Sequence, residues 1–255
     1  MIACIHLQPL PGAPRYQGGI AQIYETALAE AEIYARQGVD GLIVENFRDA
    51  PFYPERVPVE TVAAMSAVIR EIVRSTDLPV GVNVLRNDAS AALAIATAAG
   101  AHFIRVNVHL GAVVADQGLI QGRAHETLRL RSQLHSRVLI FADAGVKHAA
   151  PLAPRGLAAE ALELAERGKV DALIVSGAFT GAATSTADLD SVGAVTDLPV
   201  LVGSGTTPQT LPGLYARSQG LIVGSYFKQG GQAENPLEES RVQELMQQLQ
   251  SLRTS

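Results

Sequence analysis

A closed (β/α)₈ barrel is the fold this sequence predicts, and three observations predict it. A strand-like apolar run followed by a helix-like segment recurs eight times along the chain, at a period of about 30 residues, the size of a βαβ unit. The strand-like runs are unbroken rather than alternating, as expected when both faces of a parallel sheet are covered. The length, 255 residues, matches the roughly 250 typical of such a barrel. No linker or composition shift divides the chain, so residues 1–255 are expected to form a single domain. A doubly wound open sheet is the competing architecture, and eight units at this length favour closure.

The first strand is Ile2 to His6, followed by a loop rich in Pro and Gly from Gln8 to Gly18. Ile20, Ile23, Ala27, Leu28, Ala31, Tyr34 and Ala35 share one face of a helix that Gly38 ends. Val39 to Glu45 is the second strand. The loop from Asn46 to Pro58 is long and carries three prolines, and loops of that kind are usually functional. A helix from Glu60 to Ser75 leads to the third strand, Pro79 to Leu85, and Asp88 caps an alanine-rich helix that ends at Gly100. The fourth strand is His102 to Val108. A glycine-bearing loop, Leu110 to Gly122, precedes a helix from Ala124 to Leu134. The fifth strand is Arg137 to Asp143, with a helix from Gly156 to Arg167 behind it. The sixth is Asp171 to Gly177, followed by a loop of small residues and a short helix from Asp188 to Val195. The last two strands lie in Leu198 to Gly205 and Gly220 to Lys228, separated by a helix near Thr207 to Arg217. An amphipathic helix through Val242, Leu245, Met246, Leu249 and Leu252 closes the chain.

Composition narrows the function. With 47% hydrophobic and 18% charged residues, the chain can bury a full core and is not disordered. A net charge of -5 argues against a nucleic-acid surface. The single cysteine, Cys4, forms no internal disulfide and suits a reducing compartment. Pro9 and Pro11 break the N-terminal apolar run, which reads against a signal peptide. No stretch approaches the roughly 18 apolar residues of a membrane span. The expectation is a soluble, cytoplasmic protein, and the sequence leaves a homo-oligomer open. Glu238, Glu239 and Glu244 on the last helix argue against a membrane-surface role for it.

Chemistry in such barrels sits at the C-terminal ends of the strands. Strands seven and eight end in Gly203-Ser204-Gly205 and Gly224-Ser225. Two such ends in succession match the phosphate site made by backbone N–H groups of these loops and a nearby helix N-terminus. Ser204 and Ser225 would add hydroxyl donors and Lys228 a positive charge. The plain alternative is that Gly-Ser opens a turn. The other ends carry His6, Glu45, Asn46, Asn83, Arg105, Asn107, Asp143, Ser176 and Gly177, with Lys147, His148 and Thr180 just beyond.

Arg105 lies inside an apolar strand and therefore needs an acidic partner, Glu45, Asp143 or a bound anion. Asp143 and Glu45 are the candidate bases, with Asp143 preferred for proton transfer and Glu45 for holding Arg105 or the substrate. Lys147 and His148 are the candidate acids. Lys147 could also form a Schiff base, a lower-ranked option because it lies past the strand. His6, Asn46, Asn83, Arg105, Asn107, Ser176, Gly177 and Thr180 would contact the substrate. Each has a structural alternative: a carboxylate as a loop cap, an asparagine bonded to a neighbouring loop, His6 as a satisfied strand-end residue. His102, His125 and His135 read as structural. His6, Glu45, Asp143 and His148 could surround a metal, but no tight spacing such as HExxH supports one. No metal or cofactor is expected.

The segments IHLQPLPGAP, IVENFRDAPF, GVNVLRNDA, FIRVNV, DQGLIQG, ADAGVKHA, SGAFTG, VGSG and IVGSYFK resemble the BtpA/SgcQ family, in the family's order and over nearly the whole chain. The resemblance implies a (β/α)₈ barrel of the phosphate-binding type. Its motifs include Asp49, Arg86, Asn87 and Asp88 besides the strand-end residues above. It also implies an alternative: a non-catalytic factor for photosystem I biogenesis or stability, associated peripherally with the thylakoid membrane. Other branches of the family occur in sugar-utilisation contexts. The reading preferred from the residues is an isomerase or lyase acting on a small phosphorylated sugar or nucleoside-like metabolite.

Overall fold

The computed structural model describes residues 1–177 and 182–254. Eight parallel strands close into a barrel: β1 (Ile2–His6), β2 (Gly41–Glu45), β3 (Val80–Asn83), β4 (Phe103–Val106), β7 (Leu139–Ala144), β9 (Ala172–Val175), β10 (Val200–Val202) and β11 (Gly220–Val223). β11 pairs with β1 to complete the ring. The outer shell holds α1 (Ile20–Arg36), α2 (Val59–Ser75), α3 (Ala89–Ala99), α4 (Ala124–Gln133), α5 (Leu157–Glu166), α6 (Thr186–Gly193), α7 (Leu211–Tyr215) and α8 (Glu239–Thr254). Local chemistry sets several boundaries as expected. Asp88 accepts from the Ala91 N–H at 2.9 Å and starts α3, and Gly100, at φ +81°, ends it.

Alternation along each strand sorts side chains into two cores. Ala3, Leu42, Val44, Val80, Val82, Ile104, Ile140 and Leu173 point outward and pack under the helices. Each fully buried Leu or Ile there contributes about 1.5–3 kcal/mol. Cys4, Ile43, Phe103, Ala172, Ile174, Leu201 and Ile222 point inward and fill the lumen. Phe103 and Phe141 stack at 4.6 Å between centroids. Gly81 is required beneath them, because a Cβ there would lie 2.2 Å from the Phe103 ring. This apolar floor raises the next inward layer, which is polar, to the C-terminal mouth.

Two expectations are corrected. The segment read as a loop between Leu110 and Gly122 is a hairpin, β5 (Ala112–Ala115) and β6 (Gly118–Gln121), turning at Asp116-Gln117. β8 (Ala149–Pro151) joins it to make a three-stranded antiparallel sheet apart from the barrel. Residues flanking the turn, VVA before it and GLI after it, are short apolar stretches with Gly118 at φ +94°, a hairpin signal that the glycine content masked. Lys228, expected to add charge to an anion site, is instead fully buried against α1, where its Nζ donates to Glu30 Oε1 at 2.6 Å.

Candidate functional site

Strand register assembles the charged side of the mouth. His6 is level with Glu45, and Glu45 with Asn83. Arg105 reaches across the lumen. Its Nε and Nη2 donate to Asp143 Oδ1 and Oδ2, both at 3.1 Å, and its Nη1 lies 3.5 Å from Glu45 Oε1. Asn107 Nδ2 donates to Asp143 Oδ2 at 2.7 Å, and Asn83 Nδ2 donates to Asn107 Oδ1 at 3.2 Å. All these residues are buried. The carboxylate partner that Arg105 required is therefore present twice, with the roles exchanged. Asp143, not Glu45, holds the guanidinium face to face, because it stands on the adjacent strand with both oxygens presented.

The difference leaves Glu45 less committed. Its Oε1 is buried without a hydrogen-bond partner. Burial pushes its carboxyl above the usual range, against the opposing pull of Arg105 and Lys147. Burial works against the Arg105 charge too, but Asp143 and Glu45 hold its guanidinium above the ordinary value. Lys147 lies past β7, yet its side chain folds back into the mouth and donates to the Gly203 carbonyl at 2.9 Å. Burial, reinforced by the Arg105 charge, brings its ammonium down to about 8. His148 follows on the exposed rim at φ +53° and lines the same cavity, and its pKa is lowered by burial and by Arg86.

The opposite side is built from small residues. Gly203 faces inward, and a Cβ there would lie 2.3 Å from Ser176 Oγ and 2.6 Å from Ile174 Cγ2. A Cβ on Gly224 would lie 3.0 Å from His6 Nε2. These glycines leave a narrow cavity of about 70 Å³ lined by Gly203, Ser204, Gly205, Thr206, Gly224 and Ser225. Thr206 Oγ1 and Ser176 Oγ are buried without partners. Ser204 does not offer the expected free hydroxyl: it accepts from the Gly177 N–H at 2.9 Å and donates to the Ala182 carbonyl at 3.1 Å, tying two loops together. A wider cavity of about 490 Å³ adjoins it, lined by Glu45, Asn83, Arg105, Asn107, Asp143 and Lys147 among others. Lys147, Arg105, Glu45 and Phe47 line both.

Most of the sequence-predicted residues thus meet at one mouth. Asn46 does not. It is buried beside the mouth, where its Oδ1 accepts from the Leu85 N–H at 2.7 Å and its Nδ2 donates to Asp49 at 3.1 Å, so it braces loops instead of facing the cavity. Thr180 lies outside the described residues. His102 is structural as read, accepting from the Val80 N–H at 3.2 Å. The structure adds Arg86, Phe47, Phe52, Asp116 and Gln117 to the wide cavity. Arg86 donates to the Lys147 carbonyl at 2.6 Å and so fixes the turn that carries the lysine. Asp116 and Gln117 arrive on the hairpin turn, which recognising the hairpin would have put near the mouth. His6 and Glu45 do meet, but with Cys4 beside them and not with Asp143 and His148 as the metal set considered from sequence.

Comparison with known proteins agrees with this architecture. A phosphoribosyl anthranilate isomerase from Thermus thermophilus superposes with a TM-score of 0.62 at 15% identity, covering 99% of this chain and 98% of that one. At that identity the likeness concerns the fold. The photosystem I biogenesis protein BtpA of Synechocystis is 44% identical over 95% of this chain and 85% of its own length. An uncharacterized protein of Pyrococcus horikoshii is 40% identical over 99% of this chain and 96% of its own. The BtpA family model matches residues 1–251. With the barrel, the strand-end residues and these similarities in agreement, the chain belongs to the BtpA family.

Proposed function

We propose that this protein is a cytoplasmic enzyme of isomerase or lyase type acting on a small phosphorylated sugar or nucleoside-like metabolite. One observation carries the reading: Glu45, Lys147 and the Arg105–Asp143 pair share a buried mouth in which a wide cavity opens into a narrow glycine-walled one. The narrow cavity suits a phosphoryl group, which glycine backbone can approach closely. The wide one suits the carbon skeleton. Asp143 has both oxygens engaged by Arg105 and Asn107, so Glu45 is the better base for a proton next to a carbonyl. The Lys147 ammonium, with its lowered pKa, would steady the oxyanion, and Glu45 would return the proton it took.

Calorimetric titration with inorganic phosphate and a panel of sugar and nucleoside phosphates, followed by turnover assays on the compound that binds, tests the reading. Glu45→Gln is expected to retain binding and lose turnover by about a hundredfold or more, the usual size of a general-base effect. Absence of binding by every phosphorylated compound, or full turnover in Glu45→Gln and in Asp143→Asn, would overturn it. The name of the Synechocystis relative favours a second reading, a non-catalytic photosystem I biogenesis factor peripheral to the thylakoid membrane. Among the described residues no helix is long and apolar enough to cross a membrane. A factor retained only for its outer surface has no need of a buried charged lumen, and this is why the enzyme reading is preferred.

A further inference from the structure

Cys4, His6 and Glu45 sit together on β1 and β2, and of the three Glu45 also pairs with Arg105, at 3.5 Å. Cys4 and His6 are two residues apart on β1 and so face the lumen together, and His6 is level with Glu45 on β2. One ligand atom from each lies within 4.8 Å of the others, and all three residues are buried. His6 Nδ1 lies 3.2 Å from the Ala233 carbonyl. A carbonyl only accepts, so in the neutral ring Nδ1 carries the proton and Nε2 presents a bare lone pair. That lone pair faces Glu45 Oε2 at 3.9 Å, two acceptors opposed with no donor hydrogen between them. Phe47 stacks on the imidazole at 4.5 Å and fixes its plane. A histidine held by one nitrogen on a backbone carbonyl, with the other turned inward, is the outer-shell arrangement of metal-ligating imidazoles.

We propose that Cys4, His6 and Glu45 form a three-ligand site for a divalent transition metal of zinc type, open on its fourth side to the narrow cavity. A thiolate, an imidazole and a carboxylate suit zinc, whereas magnesium and calcium want oxygen ligands alone. Tetrahedral zinc bonds of about 2.0–2.3 Å place such ligand atoms about 3.3–3.8 Å apart. The His6–Glu45 separation of 3.9 Å is close to that already. Gly224 keeps the fourth side clear, since a Cβ there would lie 3.0 Å from His6 Nε2 and 3.2 Å from Cys4 Cβ. Glu45 would ligate through Oε2, leaving its unpartnered Oε1, on the Arg105 side, as the oxygen that takes the proton in the enzyme reading. Binding releases the Cys4 proton, and thiolate with carboxylate neutralises the dication. Arg105 and Lys147 then face a neutral centre instead of a third positive charge. A water or a phosphoryl oxygen in the narrow cavity would complete the coordination.

The inference goes beyond the enzyme reading and is tested without substrate. Chelator-stripped full-length protein is titrated with Co²⁺ and followed by absorption, with Zn²⁺ used in competition. The expected result is one Co²⁺ per chain with a thiolate-to-cobalt charge-transfer band in the near ultraviolet, displaced by Zn²⁺. Because the chain has one cysteine, that band in the wild type assigns the ligand without any variant. Cys4→Ser should lose the band, and His6→Gln should weaken binding by about tenfold or more, the usual lower bound for losing a support of a metal site. Failure to bind Co²⁺ and Zn²⁺, or Co²⁺ binding without a thiolate band, would overturn the proposal. Binding lost in Asp143→Asn but intact in Cys4→Ser would also overturn it, moving the ion to the other side of Arg105.

Discussion

The two sides of the barrel mouth are built on opposite principles. Strands β1 to β4 and β7, with Asn107 just past β4, contribute long polar side chains: His6, Glu45, Asn83, Arg105, Asn107 and Asp143. Strands β9 to β11 are followed directly by Ser176 and Gly177, by Gly203 and by Gly224. The difference is one of complementary volume. Arg105 crosses the lumen so far that a Cβ on Gly203 would come within 3.4 Å of its Nη2. His6 similarly occupies the space in front of Gly224. A small-residue wall is thus what a charged wall of this reach requires, and whatever space remains between them is the narrow cavity. The glycines expected from sequence to approach an anion are first of all packing partners for the opposite side.

Removing the charge that spans the two sides should have the largest effect. Arg105→Met leaves Asp143 and Glu45 as buried carboxylates without a cation between them, and unfolding in urea is expected to show a loss of about 3–5 kcal/mol at pH 7. The loss should shrink as the pH falls, because Glu45, whose carboxyl burial already raises, takes up a proton and so removes an unpaired charge. A cost under 1 kcal/mol would mean that the two sides are not joined through Arg105.

Filling the small-residue wall comes next. Gly203→Val puts branched atoms where Ile174 and Ser176 already sit, and overpacking of this kind costs about 1–3 kcal/mol. Gly193→Ala, in α6 with nothing within 4 Å of the added Cβ, should instead be neutral or stabilise by a few tenths up to about 1 kcal/mol. Equal midpoints for the two variants in chemical denaturation would contradict the packing account. The same geometry disqualifies Gly203→Val as a probe of anion affinity, since it disturbs the lumen before it touches a ligand.

The smallest effect concerns Lys147, which reaches from one side to the other. Its folded pKa, about 8, lies below the ordinary lysine value of 10.5. Below pH 8 the ammonium is charged in both states and its burial costs stability in full. Between pH 8 and 10.5 the unfolded chain binds more protons, so stability rises with pH, and above that range the cost is gone. Lys147→Met should therefore be more stable than wild type near pH 7, by about 1–2 kcal/mol, with the advantage fading towards pH 10.5. A difference independent of pH would show that the lysine titrates normally.

Much of the barrel was legible because it depends on local periodicity. Apolar runs such as GLIVE and VGVN, separated by helices with one buried face, specify the barrel elements with little help from distant residues. The hairpin was missed because Ala, Gly, Asp and Gln dilute its short strands, and its third strand, Ala149–Pro151, lies far from it in sequence. Its turn residues Asp116 and Gln117 were missed with it. Lys228 was misread for the same kind of reason: nothing in GLIVGSYFK tells that the side chain turns outward to Glu30, 198 positions earlier.

Residue type and strand position alone determined that a charged layer would cap an apolar floor at the C-terminal end of the barrel. Alternation fixes which side chains point inward, and inward polar residues at strand ends can only meet there. Tertiary structure alone decided who pairs with whom. Asp143 rather than Glu45 grips Arg105 because β4 and β7 are adjacent in the closed ring and Glu45 is two strands away. Cys4, which the sequence shows only as an unpaired thiol in an apolar strand, stands beside His6 and Glu45 because β1 and β2 run parallel in that register. Pairing in a barrel is set by shear and by side-chain reach across the lumen, and neither is written in the local sequence.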